Sequence, residues 1–144
     1  MRQSILVVIL GCVVGSTSAQ VSSPTPILPN TVKWSPSAAT PGLESAWFVG
    51  APERQGIYAQ RVRLPAGAKI APHTHPDERI SVVLSGTIYV GFGEVFDERN
   101  VVAIPAAGMY VAPAGVAHYV WAKDGDATYQ ESGIGPTAVN FIKR

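Results

Sequence analysis

Histidine occurs three times in this chain, and the three are placed as metal ligands could be: His73 and His75 with one residue between them, and His118 in a later segment. Side chains two apart in a strand point to the same face, so His73 and His75 can offer two imidazoles to one point. If His118 reaches that point, the whole histidine complement converges on one divalent transition metal ion. Neutral imidazole suits Zn, Fe, Ni, Cu and Mn alike, so the ligand type does not distinguish among them. Three imidazoles would leave open positions at which an ion could polarise a carbonyl or carboxylate, activate water or, if redox-active, bind dioxygen. The bland alternative is a set of buried or surface histidines with the geometry and no ion.

The elements that must position these residues are strands. From residue 43 onward, short apolar segments alternate with turn residues, giving candidate strands at 46–49, 57–64, 70–75, 80–84, 87–92, 109–112, 117–122, 127–131 and 138–142. The separators include Pro65-Ala66-Gly67, Ser85-Gly86, Pro113-Ala114-Gly115 and Asp124-Gly125-Asp126. At Ser85-Gly86 glycine supplies a backbone angle that other residues resist, which predicts a hairpin. No segment after residue 19 sustains a 3.6-residue apolar period. The fold class is therefore all-β, a sandwich or barrel.

The chain has 144 residues, enough for one domain with its own core and no staples. Arg2, the apolar run 5–10 and the small residues 15–19 have the three regions of a secretory signal peptide, with cleavage after Ala19. An alternative makes Ile9-Leu10-Gly11-Cys12 a lipidation box anchored through Cys12. Either route leads out of the cytoplasm, to a secreted or periplasmic protein without stable membrane insertion after cleavage. Removing residues 1–19 leaves ten basic and ten acidic residues and no cysteine. Bulk charge then gives no attraction to nucleic acid, and a thiolate ligand, a disulfide and a cysteine nucleophile are excluded from the mature chain. Residues 20–42 are rich in Pro and Ser and read as an extended arm, able to pack on the body through Trp34, or as a mobile linker. The expected organisation is thus a signal peptide at 1–19, an arm at 20–42 and a β-barrel domain at 43–144.

Two segments carry a family resemblance. Gly67, five residues, His73-x-His75, an acidic cluster and Gly86 resemble the first motif of the cupins, and Gly108 with Pro113-x-Gly115-x-x-His118 resembles the second. The 21 residues between Gly86 and Gly108 match the spacing of small single-domain cupins. The likeness is to the uncharacterised conserved-barrel type, and it implies a double-stranded β-helix, a jelly-roll-like barrel holding one metal ion in its mouth. It also implies a glutamate ligand after the second histidine, seven residues before the closing glycine. That place holds Arg79, and Glu78 lies one position earlier. A one-residue shift sends a side chain to the opposite face of a strand, so Glu78 ligates only if a bulge after Pro76 re-aims it. Two ligand sets stay open: His73, His75, His118 and Glu78, or three histidines and water. An outward-facing Arg79 is the ordinary expectation; an inward one would place a cation beside the ion and could attract an anionic ligand such as a carboxylate. A further departure is Ala122, where many cupins have Asn.

Alternation puts Tyr119 and Trp121 opposite His118, as packing residues, while Tyr89 and Tyr110 are pocket candidates. The resemblance implies a homodimer and a small-molecule ligand or substrate, but no particular reaction, because cupins include oxygenases, decarboxylases, lyases and isomerases. Three readings follow: an exported metal-dependent enzyme acting on a small molecule, a carboxylated one among the options, a non-catalytic small-molecule or metal binder, and a purely structural dimer module.

Overall fold

A computed structural model describes residues 25–143. The expected signal peptide and Cys12 lie outside the described residues. Eleven strands follow one another: β1 (Ser35–Pro36), β2 (Glu44–Val49), β3 (Gly56–Leu64), β4 (Lys69–Thr74), β5 (Arg79–Ser85), β6 (Thr87–Phe92), β7 (Val102–Pro105), β8 (Met109–Ala112), β9 (His118–Trp121), β10 (Ala127–Gly135) and β11 (Asn140–Phe141). A single turn of 3-10 helix, Pro29–Thr31, precedes them. They form two antiparallel sheets in the orders β1-β2-β3-β10-β5-β8 and β11-β4-β9-β6-β7. This is the all-β barrel expected. Among the described residues no helix is long and apolar enough to cross a membrane.

Period-two alternation builds the inner wall. On β10 Ala127, Tyr129 and Glu131 are buried, on β5 Arg79, Ser81 and Val83, and on β6 Ile88 and Val90. The apolar members, with Val62, Leu64, Ile70, Val120 and Ala122, make one continuous core. Directly opposed residues of antiparallel strands share a face, so the register stacks this wall in rows. One row of the larger sheet is Val62, Tyr129 and Val83 across β3, β10 and β5. The next is Gln60, Glu131, Ser81 and Tyr110 across β3, β10, β5 and β8, and it is polar throughout.

β9 is buried on both faces because residues 93–100 fold over its outside. Tyr119 lies under this cover, with its ring centroid 4.7 Å from that of Phe96 and its hydroxyl donating to the carbonyls of Asp97 and Asn100 at 3.1 Å each. Gly91, its partner on β6, leaves the space for the ring, since a Cβ there would lie 2.2 Å from it. At the hairpin between β5 and β6, Gly86 has φ +72°, and a Cβ would come within 2.2 Å of the Asp126 carbonyl oxygen.

Two elements escaped the sequence reading. β1 is two residues long, and β7 pairs with β6 at the sheet edge with little burial, so neither carries an apolar alternation. β10 runs to Gly135, four residues past its expected end, because it pairs with β3 along its whole length. The arm is not a free linker over its described part. β1 pairs with β2, and the Arg63 guanidinium stacks 3.6 Å over the Trp34 ring.

Candidate metal centre

β4 and β9 lie side by side with His73 opposite His118. A register shift between Ile70 and His73 lets both residues face inward although they are three apart, and His75 follows just after β4 ends. The two histidine segments are also tied outside the sheet, where the Gly115 N–H donates to the His75 carbonyl at 2.8 Å. The three ring centroids stand 4.4 to 5.1 Å apart. One ligand nitrogen from each ring can be chosen so that all three lie within 4.8 Å of one another.

Each imidazole is oriented by a backbone carbonyl. Nδ1 of His73 donates to Ala71 O at 2.8 Å, Nδ1 of His75 to Ala138 O at 2.7 Å, and Nδ1 of His118 to Val116 O at 3.2 Å. A carbonyl can only accept, so the proton of the neutral ring sits on Nδ1 and the lone pair on Nε2. Nε2 of His75 and of His118 are buried and have no hydrogen-bond partner among the described residues. Such orphaned acceptors are costly to bury. A cation would satisfy them, so the residues fit a divalent metal ion. Burial lowers the pKa of His73 to about 4, assisted by His118, and that of His75 to about 3, assisted by Arg79. Burial lowers that of His118 as well. The rings are therefore neutral, ligand-ready bases at physiological pH.

The acidic position is resolved by the pleat. β5 begins at Arg79, which points inward with 2% exposure, while Glu78 is exposed and outside the histidine group. The bend at Pro76-Asp77 does not re-aim Glu78; it brings in Asp77 instead. Arg79 donates to Asp77 at 3.0 Å and to Glu131 at 3.1 Å, and also to the Thr137 hydroxyl. The Tyr58 hydroxyl donates to the other Asp77 oxygen. Burial alone would lower the Arg79 pKa, but Glu131, Tyr58 and Asp77 reverse this and hold the guanidinium charged. Donors from Thr137, Tyr58 and Arg79 overcome burial to keep Asp77 below the usual carboxylate range. Glu131 is raised, because burial outweighs its single guanidinium partner. Gly133 makes this network possible: a Cβ there would lie 2.7 Å from Tyr58 Oη and 2.9 Å from Asp77 Oδ2.

A cavity of about 230 Å³ opens beside His73 and His75. Its walls include Gln60 and Glu131 from the larger sheet, Thr40 and Leu43 from the arm and its junction with β2, and Val139 and Phe141 from the C-terminal segment. Of the aromatic candidates, Tyr110 lies inside, its ring centroid 6.1 Å from that of His118. Tyr89 does not: it hydrogen-bonds Asp124 and packs near Trp121 on the outer face, because alternation with buried Ile88 and Val90 turns it outward. Trp121 shares that outer face, as expected. Sequence reasoning missed Asp77, Gln60 and Glu131. A signal for the last existed, since Glu131 follows Ala127 and Tyr129 at the same parity of one strand, an acid in an apolar phase.

No protein-family model matches the chain. It is 28% identical over 96 residues, 66% of its length, to a germin-like protein of rice, Oryza sativa subsp. japonica, and that match covers 39% of the relative. The chain thus spans well under two thirds of that curated relative. Among solved structures it superposes on the polyketide cyclase RemF of Streptomyces resistomycificus with a TM-score of 0.72 at 12% identity, covering 85% of this chain and 87% of that one. It superposes on an RmlC-like cupin of Shewanella frigidimarina with a TM-score of 0.63 at 15% identity, covering 78% and 91%. Two antiparallel sheets closed around three inward histidines, in the company of these structures, make the chain a cupin by fold.

Proposed function

We propose that the chain is an exported metal-binding cupin, an enzyme that holds one divalent transition metal ion on His73, His75 and His118 and acts on a small molecule in the adjoining cavity. The observation that carries this reading is the pair of buried, unpartnered Nε2 atoms on rings whose Nδ1 atoms are already engaged. When bound, such an ion would supply Lewis acidity at open coordination positions, suited to an anionic ligand group such as a carboxylate. The chain's own residues do the rest. Three backbone carbonyls fix the ring orientations, the arm and the C-terminal segment wall the cavity, and Arg79 bridges two buried carboxylates without entering the cavity wall. Three neutral ligands leave the ion's charge undiminished, which favours an anion in the open position. Export rests on the signal-like pattern of residues 1–19.

The test is metal uptake. Metal-free protein reconstituted with Zn²⁺, Ni²⁺, Mn²⁺ or Fe²⁺ should retain close to one equivalent of at least one ion after gel filtration, and the His73→Ala/His118→Ala variant should retain less than about a tenth. Uptake below a tenth by the unaltered protein for every ion would remove the proposal. A second reading, a non-catalytic binder, is favoured by Arg79 standing in the place of the acidic ligand. Tight metal binding with no turnover across a panel of small acids, with and without dioxygen, would select it.

A further inference from the structure

The polar row on the inner wall of the larger sheet has no counterpart among the expectations drawn from the sequence. Gln60, Glu131, Ser81 and Tyr110 are successive cross-strand neighbours on one face, next to the apolar row of Val62, Tyr129 and Val83. Polar side chains in an interior are ordinarily consumed by partners. These are only partly consumed. Glu131 has one oxygen held by Arg79 at 3.1 Å and lines the cavity with Gln60, beside His73 and His75. The side chains of Ser81 and Tyr110 are buried cross-strand neighbours in the same row and do not line the cavity.

From this juxtaposition we propose that Gln60 and Glu131 form a hydrogen-bonding edge that selects small hydroxylated acids, the ligand's carboxylate lying on the histidine side and its hydroxyl donating to Glu131. The inference rests on the metal-binding reading above and adds the ligand class to it. A carboxylate accepts only, so its cavity-facing oxygen requires an O–H or N–H donor. Arg79 already gives Glu131 a cationic partner on one oxygen, which reduces the gain from a second cation and favours a neutral hydroxyl over an ammonium. The Gln60 amide, without a side-chain hydrogen bond of its own among the described residues, can donate to the same hydroxyl oxygen. The cavity, at about 230 Å³, is below the range of about 300–1,000 Å³ typical of drug-sized ligands, so the acid is small. Glu131 is a specificity residue in this scheme and stands outside the group that would hold the ion.

Titration calorimetry of the zinc-loaded protein with propanoate, 3-hydroxypropanoate and 3-aminopropanoate tests the assignment. The hydroxy acid should bind about tenfold more tightly than propanoate, the discrimination expected of one hydrogen bond to a charged group. In Glu131→Gln, which keeps an acceptor for Arg79, and in Gln60→Leu, that preference should fall below threefold with zinc affinity unchanged. Equal binding of the two acids, a preference retained in both variants, or tighter binding of the amino acid would overturn the inference while leaving the metal site intact. A loss of zinc affinity in Glu131→Gln would make Glu131 a ligand and overturn it too. Failure of the unaltered protein to take up zinc or any other ion would remove the metal-binding reading itself, and the inference with it.

Discussion

Replacing Arg79 by methionine is expected to cost the protein about 3–5 kcal/mol at neutral pH, the range for stranding a buried charge by deleting its partner. The size can be worked from the contacts. Arg79 is 2% exposed, and the side chains of its partners Asp77 and Glu131 are 7% and 9% exposed. Asp77 would keep the Tyr58 and Thr137 hydroxyls as donors, whereas Glu131 would lose its one guanidinium. Glu131 can escape by taking a proton. From an ordinary value of 4.5, that escape limits its own share at pH 7 to about 3.4 kcal/mol, at 1.36 kcal/mol per unit. The sign of the pH dependence follows. Without Arg79 the folded-state pKa of Glu131 lies further above its unfolded value, so the penalty is absent below about pH 4.5 and grows as pH rises through the folded pKa. Urea unfolding of the metal-free protein, followed by tryptophan fluorescence at pH 5 and pH 7, should give a wild-type minus Arg79→Met difference that is larger at pH 7. Adding Glu131→Gln should return a substantial part of the loss, a coupling read directly by the double-mutant cycle. A difference under 1 kcal/mol at pH 7, or one equal at the two pH values, would refute the claim that Arg79 is there to balance Glu131.

Two further outcomes follow from the same geometry. With His73 lowered to about 4 and His75 to about 3 by burial, the unfolded chain takes up protons near 6.5 while the folded, metal-free protein does not. Stability should therefore be fully present above about pH 6.5 and fall as pH drops toward 4, and His75→Gln should flatten that slope in a denaturation series. Gly133→Ala should cost about 1–3 kcal/mol by forcing apart Tyr58 and Asp77, whereas Gly125→Ala, where a Cβ would meet nothing within 4 Å, should unfold at the same urea midpoint as the unaltered protein within error.

What could be read from the chain beforehand divides along physical lines. The bounds of β6 and β8 follow from turn residues and alternation, because both strands have one face on the core and one toward solvent. The meeting of His73, His75 and His118 was legible as well, since a rare residue type in two punctuated segments leaves few alternatives. β1 and β7 were not, for want of buried alternation. The role of Glu131 was hidden for a different reason. Its neighbours Gln60 and Arg79 are 71 and 52 positions away in the chain, and only the placement of β10 between β3 and β5 brings them to one wall. Glu78 illustrates the hazard of reading ligands by proximity in sequence: one step along a pleated strand decides between barrel interior and solvent.

That single step also explains why Arg79 and Glu131 belong together. Arg79, Ser81 and Val83 share a parity, so whatever stands at position 79 must enter the barrel beside Asp77 and Glu131. An acid at that position would make three carboxylates in one buried cluster, a charge the interior could tolerate only with protons or an extra cation. With arginine there, two carboxylates and one guanidinium leave a net charge of −1, and no anion stands among the three histidines. Arg79 thereby pairs with Asp77 on its own strand side and, across the sheet, with Glu131, the acid that lines the cavity. Positions 79 and 131 therefore act as one device, the buried guanidinium needing the acid across the sheet as its partner and the buried acid needing the guanidinium.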